Sequence, residues 1–306
     1  MDHCRPCRNA DDRRAVCFCL VRRSIGPLRS NATLLGTLLA EKKESLSNIT
    51  LIAIEAALLA GEILRQGFGT QFSISSKAGV HNLVTEYDHR SEKAILDFIR
   101  QNVPQSQFLA EESGSTGPTT NEWLWIVDPL DGTVNFAHQI PVFSVSIAAE
   151  KNGEVFCGVV FQPITHELFV AEKGKGSFLN GQKIRVSPIE TLNKSILATG
   201  FPYNLSENPY HCIDHFVDIL KLGIPIRRLG SAAIDLSYTA AGRVEGFFEV
   251  ELGPWDCAAG KLLVEEAGGK VTSWSNQPFD IRSRGPIFAS NGRIHTAASA
   301  ILTRKV

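Results

Sequence analysis

Trp123-Leu124-Trp125-Ile126-Val127-Asp128-Pro129-Leu130-Asp131-Gly132-Thr133-Val134-Asn135-Phe136 is the stretch on which the reading of this chain turns. Aromatic and branched apolar residues predict a strand over 123–127. Asp128 ends it. Asp131 follows in a turn forced by Pro129 and Gly132. Gly132-Thr133 then offers backbone N–H groups at a helix start, which suits an anion. Alone, such a segment is also ordinary turn chemistry, so its surroundings decide.

Upstream, Ser47-Asn48 predicts a helix cap, with Leu51, Ile54, Leu58 and Ile63 on a core face and Gly67 and Gly69 as the stop. A short strand over 72–76 follows. An amphipathic helix over 91–102 places Ala94, Ile95, Phe98 and Ile99 on one face, and Pro104 ends it. A strand over 108–110 leads into Glu111-Glu112. Downstream, 143–150 alternates, 155–162 is β-rich, and Asn180-Gly181 predicts a hairpin turn. Beyond about residue 190, strand and helix patterns alternate: helices over 211–222, 232–241 and 255–267, and a strand over 243–249. This is mixed α/β with a soft division near 185 and no long linker.

The chain has 306 residues, 43% apolar and 21% charged, with a formal net charge of −1. That composition suits a globular protein. It supplies no global basic field, so neither nucleic acid nor a membrane surface is expected as a partner. The best apolar run, 51–64, is interrupted by Glu55 and Glu62 and falls short of the ~18 residues a span needs. Cys4, Cys7, Cys17, Cys19, Cys157, Cys212 and Cys257 form no disulfide framework, which suits a reducing, cytoplasmic setting. Cys4-x-x-Cys7 lacks the second half of a zinc site. Residues 1–46 are Arg-rich and read as a disordered extension to a domain over 47–306. The alternative is an organelle-targeting presequence, against which Asp2, Asp11 and Asp12 weigh.

Acids at strand ends are where hard cations bind. Glu111-Glu112 follow one strand, Asp128 and Asp131 another, and Asp256 opens the helix after Gly253-Pro254-Trp255. Mg²⁺ wants oxygen ligands and keeps several waters. Two such ions lower the barrier to phosphate ester hydrolysis by activating water and stabilising the leaving oxygen. Singly, each acid also reads as a cap or a solvated surface group. Their joint occurrence in this order points to the metal chemistry.

With Asn82 to Asp88, Ala110-Glu111-Glu112-Ser113, Trp125 to Phe136, Trp255 to Gly260 and Glu266-Ala267-Gly268-Gly269, the chain resembles the inositol monophosphatase family from about residue 48 onward. The resemblance implies a layered α/β/α/β/α sandwich of the inositol monophosphatase and fructose-1,6-bisphosphatase type, usually dimeric, and hydrolysis of inositol monophosphate by a metal-activated water. It implies two or three Mg²⁺ ions and inhibition by lithium. Glu111, Asp128 and the carbonyl of Leu130 would hold one ion, and Asp128, Asp131 and Asp256 another. Glu111 and Thr133 would position the attacking water, Asp88 would orient metal-bound water, and Lys77 would help neutralise the site. Asp131, Gly132, Thr133, Gly230, Ser231, Ala232, Glu249 and Asp256 would contact the substrate.

Two positions depart from the family pattern. Ala110 stands where Gly is usual, and Val134 where a second Thr is usual, which removes a hydroxyl near the phosphate. Rival substrates are fructose 1,6-bisphosphate, 3′-phosphoadenosine 5′-phosphate and histidinol phosphate. The first two need extra basic residues, for which Arg227-Arg228 are candidates; the equal alternative is that this pair meets acids at a subunit interface. A regulatory protein keeping the fold without activity is the alternative from another class.

Overall fold

The computed structural model describes residues 46–76, 83–118 and 122–305. The extension (apart from Leu46), Cys4-x-x-Cys7 and Lys77 lie outside them. Helix α1 (Asn48–Gly67) opens on Ser47, whose hydroxyl accepts the Thr50 N–H at 3.3 Å. Its buried side is Ile52, Ile54, Leu58 and Leu64; Leu51 and Ile63 are only partly covered. The shift arises because α1 packs on both a sheet and a second helix, so small Ala positions are buried too. A short ribbon pairs β1 (Ile74–Ser76) with β2 (Leu83–Thr85).

Helix α2 (Glu86–Asn102) starts before the expected residue 91. Thr85 and Asp88 form a reciprocal capping box, which adds a polar first turn with no apolar periodicity to reveal it.

An eight-stranded sheet follows in the order β10-β9-β8-β7-β6-β5-β3-β4. Its strands are β3 (Gln107–Ala110), β4 (Gly114–Thr116), β5 (Trp123–Asp131), β6 (Ser144–Lys151), β7 (Glu154–Gln162), β8 (Glu167–Glu172), β9 (Gly176–Leu179) and β10 (Gln182–Lys183). Asn180-Gly181 makes the expected hairpin: both have positive φ, and Leu179 pairs with Gln182. The short helix α3 (Thr133–Ala137) leaves the end of β5.

The second sheet has the order β12-β11-β13-β15-β14. It comprises β11 (Leu197–Thr199), β12 (Ile226–Arg227), β13 (Gly246–Glu249), β14 (Lys270–Ser273) and β15 (Ile287–Ser290). Its helices are α4 (Cys212–Lys221), α5 (Ala232–Ala240), α6 (Pro254–Glu266) and α7 (His295–Leu302). The change of sheet falls between Lys183 and Leu197.

Five layers result. Helices α1 and α2 cover one face of the large sheet. Helices α5 and α6 fill the space between the sheets, in a core of Ile126, Phe169, Leu236, Phe247, Leu263 and their neighbours. Helices α4 and α7 cover the outer face of the small sheet around Phe248, Trp274 and Phe288. Cys157, Cys212 and Cys257 are free and buried. Among the described residues no helix is long and apolar enough to cross a membrane.

Candidate active site

The strand expected to stop at Asp128 continues to Asp131, and the way it continues builds the site. Asp128 pairs with Ser146 and Asp131 with Ser144, so β5 carries one residue more than β6 across this step. Side chains alternate along a strand, and residues three apart face opposite ways unless a bulge intervenes. The extra residue turns Asp131 to the side Asp128 already faces. Pro129 lacks an N–H to lose there. The Asp128 Oδ1 accepts the Leu130 N–H at 3.0 Å, which fixes the bulge from inside. Ser91 of α2 donates to the Pro129 carbonyl at 2.7 Å and holds it from outside.

Strands β3 and β5 are parallel, with Ala110 beside Val127, and the Glu111 N–H bonds the Val127 carbonyl at 3.1 Å. Glu111 therefore emerges next to Asp128. Ala110 is fully buried at this junction. Asp256 sits in the first turn of α6, where its Oδ2 accepts the Gly253 N–H at 2.6 Å. The Ser146 hydroxyl donates to the Trp255 carbonyl at 3.1 Å and ties that turn to β6, opposite Asp128.

Asp131 faces the start of α5. Its Oδ2 accepts the Ser231 hydroxyl at 2.5 Å and the Ala233 N–H at 2.8 Å. Asn135 then clamps the preceding turn, donating to Val142 at 2.7 Å and Leu229 at 2.8 Å. Gly132 fills the remaining gap: at φ 93° it is left-handed, and a Cβ there would stand 3.0 Å from the Val142 carbonyl. Gly132 and Gly230 therefore meet closely, and Ser231 and Ala232 follow as donors to Asp131. Asn135 is a member of this group that sequence reasoning did not single out; its place inside the quoted motif was the available signal.

Asp88 reaches the site from α2. One oxygen accepts the Thr85 N–H and hydroxyl at 2.8 and 2.6 Å. The other lies 3.0 Å from the Thr133 hydroxyl, which is also 3.0 Å from the Leu130 carbonyl. One hydroxyl proton serves one of these acceptors at a time. Val134 stands in the first turn of α3, half-buried.

These acids disturb one another. Burial, with the charges of Glu111, Asp131 and Asp256 added, pushes Asp128 well above the usual carboxylate range. Burial, then Glu111 and Asp131, raises Asp256 to about 8. Burial raises Asp131 to about 6 against the hydrogen bonds that favour its charge. Burial raises Asp88 to about 6, with Glu112 adding repulsion. Glu249, at the end of β13, is raised by burial and then by Asp256 and Asp131, while Arg228 opposes. Among the described residues no three acids, His or Cys already close into a ligand cage. Mg²⁺ needs no such cage, since it keeps several waters. A set of buried carboxylates that raise each other's pKa fits a cation that would relieve their repulsion. A cleft lined by Lys173, Lys261, Glu265 and Arg282 shares none of its lining with these acids.

The family model for the inositol monophosphatase family matches residues 45–305. The chain is 41% identical over 250 residues to Nus factor SuhB of Escherichia coli (strain K12), covering 81% of this chain and 93% of that one. It is 42% identical over 251 residues to an inositol-1-monophosphatase of Synechocystis, covering 82% and 87%. The crystal structure of extragenic suppressor protein suhB from Bartonella henselae superposes with a TM-score of 0.81 at 37% identity, covering 85% of this chain and all of that one. With this match over nearly the whole described chain, the protein belongs to the inositol monophosphatase family.

Proposed function

We propose that the chain is a Mg²⁺-dependent phosphomonoesterase that hydrolyses inositol monophosphate. The observation that carries this reading is the bulge in β5, which turns Asp128 and Asp131 to one side, where the charges of Glu111 and Asp256 reach them. Glu111, Asp128 and the Leu130 carbonyl would hold one Mg²⁺, and Asp128, Asp131 and Asp256 a second. Bound there, Mg²⁺ neutralises the phosphate and makes water a better nucleophile. Glu111 and Thr133 position the attacking water, and Asp88 receives its proton through the Thr133 hydroxyl. The water oxygen bonds phosphorus as the bond to the alcohol oxygen breaks; the departing oxygen takes a proton from a solvent water, and the proton held on Asp88 returns to solvent. Gly230, Ser231 and Ala232 flank the sugar alcohol together with Asp131 and Asp256, and Glu249 accepts hydrogen bonds from the polyol hydroxyls. Lys77 adds positive charge, and a homodimer and lithium inhibition belong to the same reading.

Support comes from the relative named inositol-1-monophosphatase. The relative named Nus factor SuhB supplies the second reading, a regulatory protein on the same fold. Phosphate release separates them. We expect Mg²⁺-dependent turnover of inositol 1-phosphate, faster than of fructose 1,6-bisphosphate, 3′-phosphoadenosine 5′-phosphate or histidinol phosphate. Asp128→Asn should lower it about a hundredfold, the scale of losing one charge-stabilising group. Equal turnover by that variant would sink the metal assignment; no turnover of any substrate would favour the regulatory reading.

A further inference from the structure

Asp235 lies in α5, one turn beyond Ser231, whose hydroxyl holds Asp131. It is 1% exposed, and among the described residues no donor reaches its Oδ1. A buried polar atom left without a partner is costly, so its environment calls for an explanation. The geometry of β13 shows what stands opposite. Phe247 packs in the core between the sheets and Phe248 in the outer core, so the strand alternates between them. Glu249 projects to the side of Phe247, the side on which α5 packs. Beside it, just past the end of the neighbouring strand β11, Gly200 closes the space, since a Cβ there would meet both Glu249 oxygens at 2.2 Å. The charge of Glu249 acts on Asp235 more strongly than that of Asp131, and Arg228 opposes both acids.

We propose that Asp235 is a positioning residue of the alcohol subsite: its carboxyl stands behind Glu249 and holds that side chain in the orientation that takes polyol hydroxyl groups. The inference rests on the polyol phosphatase reading above. Burial disfavours the charged form of a carboxyl in so dry a place, and the protonated form has one O–H to give. Glu249 has lone pairs to receive it, and its other oxygen faces the substrate hydroxyl. Asparagine keeps a donor at this position. Leucine keeps the volume and has none.

Steady-state kinetics with inositol 1-phosphate and with p-nitrophenyl phosphate, which has no alcohol hydroxyls, test this. Asp235→Leu should raise KM for inositol 1-phosphate about tenfold, with kcat and the aryl phosphate kinetics unchanged. Asp235→Asn should restore KM. Adding Glu249→Gln to Asp235→Leu should cost nothing further, because the two side chains act as one unit. Asp235→Ala gives the same readout if leucine disturbs folding. An unchanged KM, or equal losses on both substrates, overturns the role of Asp235. Wild-type protein that hydrolyses the aryl phosphate but not inositol 1-phosphate overturns the polyol reading and this inference with it.

Discussion

Gly200 leaves no room for even one methyl group beside Glu249, whose two carboxylate oxygens would both stand 2.2 Å from a Cβ built there. Gly200→Ala therefore has to push the Glu249 carboxylate out of its place. We expect KM for inositol 1-phosphate to rise about tenfold, while hydrolysis of p-nitrophenyl phosphate stays as it was. Kinetics on both substrates checks this, and an unmoved KM would remove Glu249 from the alcohol subsite. From sequence, Glu249 reads equally well as a surface acid at a strand end. What distinguishes it is the glycine forty-nine residues earlier in the chain, brought beside it by the parallel pairing of β11 with β13. Nothing local to either residue announces that contact.

At the scale of elements, the acids were legible because each sits at a strand or helix end with turn residues beside it. Strand β5, helix α6 and the Asn180-Gly181 hairpin follow local rules that hold in the fold. The bulge was not legible. Asp-Pro and Asp-Gly predict a turn, whereas pairing with β6 keeps the segment in the sheet and gains two further ladder positions. The start of α2 was hidden for a related reason: Glu86, Asp88, His89 and Arg90 show no apolar face, and the first turn is held by the Thr85–Asp88 cap. Helix α5 carries a similar device that also serves the site. Ser231 caps it by accepting the Ile234 N–H at 3.3 Å, and donates its own proton to Asp131. Ser231→Ala should destabilise the protein by about 1 kcal/mol or more, the usual cost of a lost cap. It should also weaken Mg²⁺ binding, because Asp131 loses the hydroxyl that favours its charge. Calorimetric unfolding and Mg²⁺ titration measure the two effects separately. A variant with lower stability and unchanged Mg²⁺ affinity would show that the cap and the site are independent.

Over the whole molecule, the acids make the site a liability for folding until a cation arrives. A carboxyl whose folded pKa exceeds its unfolded one binds more protons in the folded state, so its contribution to stability falls as pH rises between the two values. Asp88 and Asp131 rise from 3.8 to about 6, Asp256 rises to about 8, and Asp128 is pushed up as well. His215 and His295 work in the opposite sense, since burial lowers both from 6.5 and favours folding as pH rises toward that value. Above 6.5 these histidines lose their charge in the unfolded state too, so their opposing contribution fades and the buried acids remain. Paired acids such as Glu172, held below 4.5 against burial by Lys175, Thr50 and Ser47, are ionised throughout that range. Metal-free protein should therefore lose stability between pH 6.5 and about 8. Mg²⁺ competes with protons for the same carboxylates and stabilises only the folded state. The rise in Tm on adding Mg²⁺ should grow across that window. Calorimetry in a chelator and in excess Mg²⁺, at both ends of the window, gives the comparison. A metal-free Tm that climbs with pH, or a Mg²⁺ effect that is the same at both ends, would mean that these carboxylates are not where the ion binds.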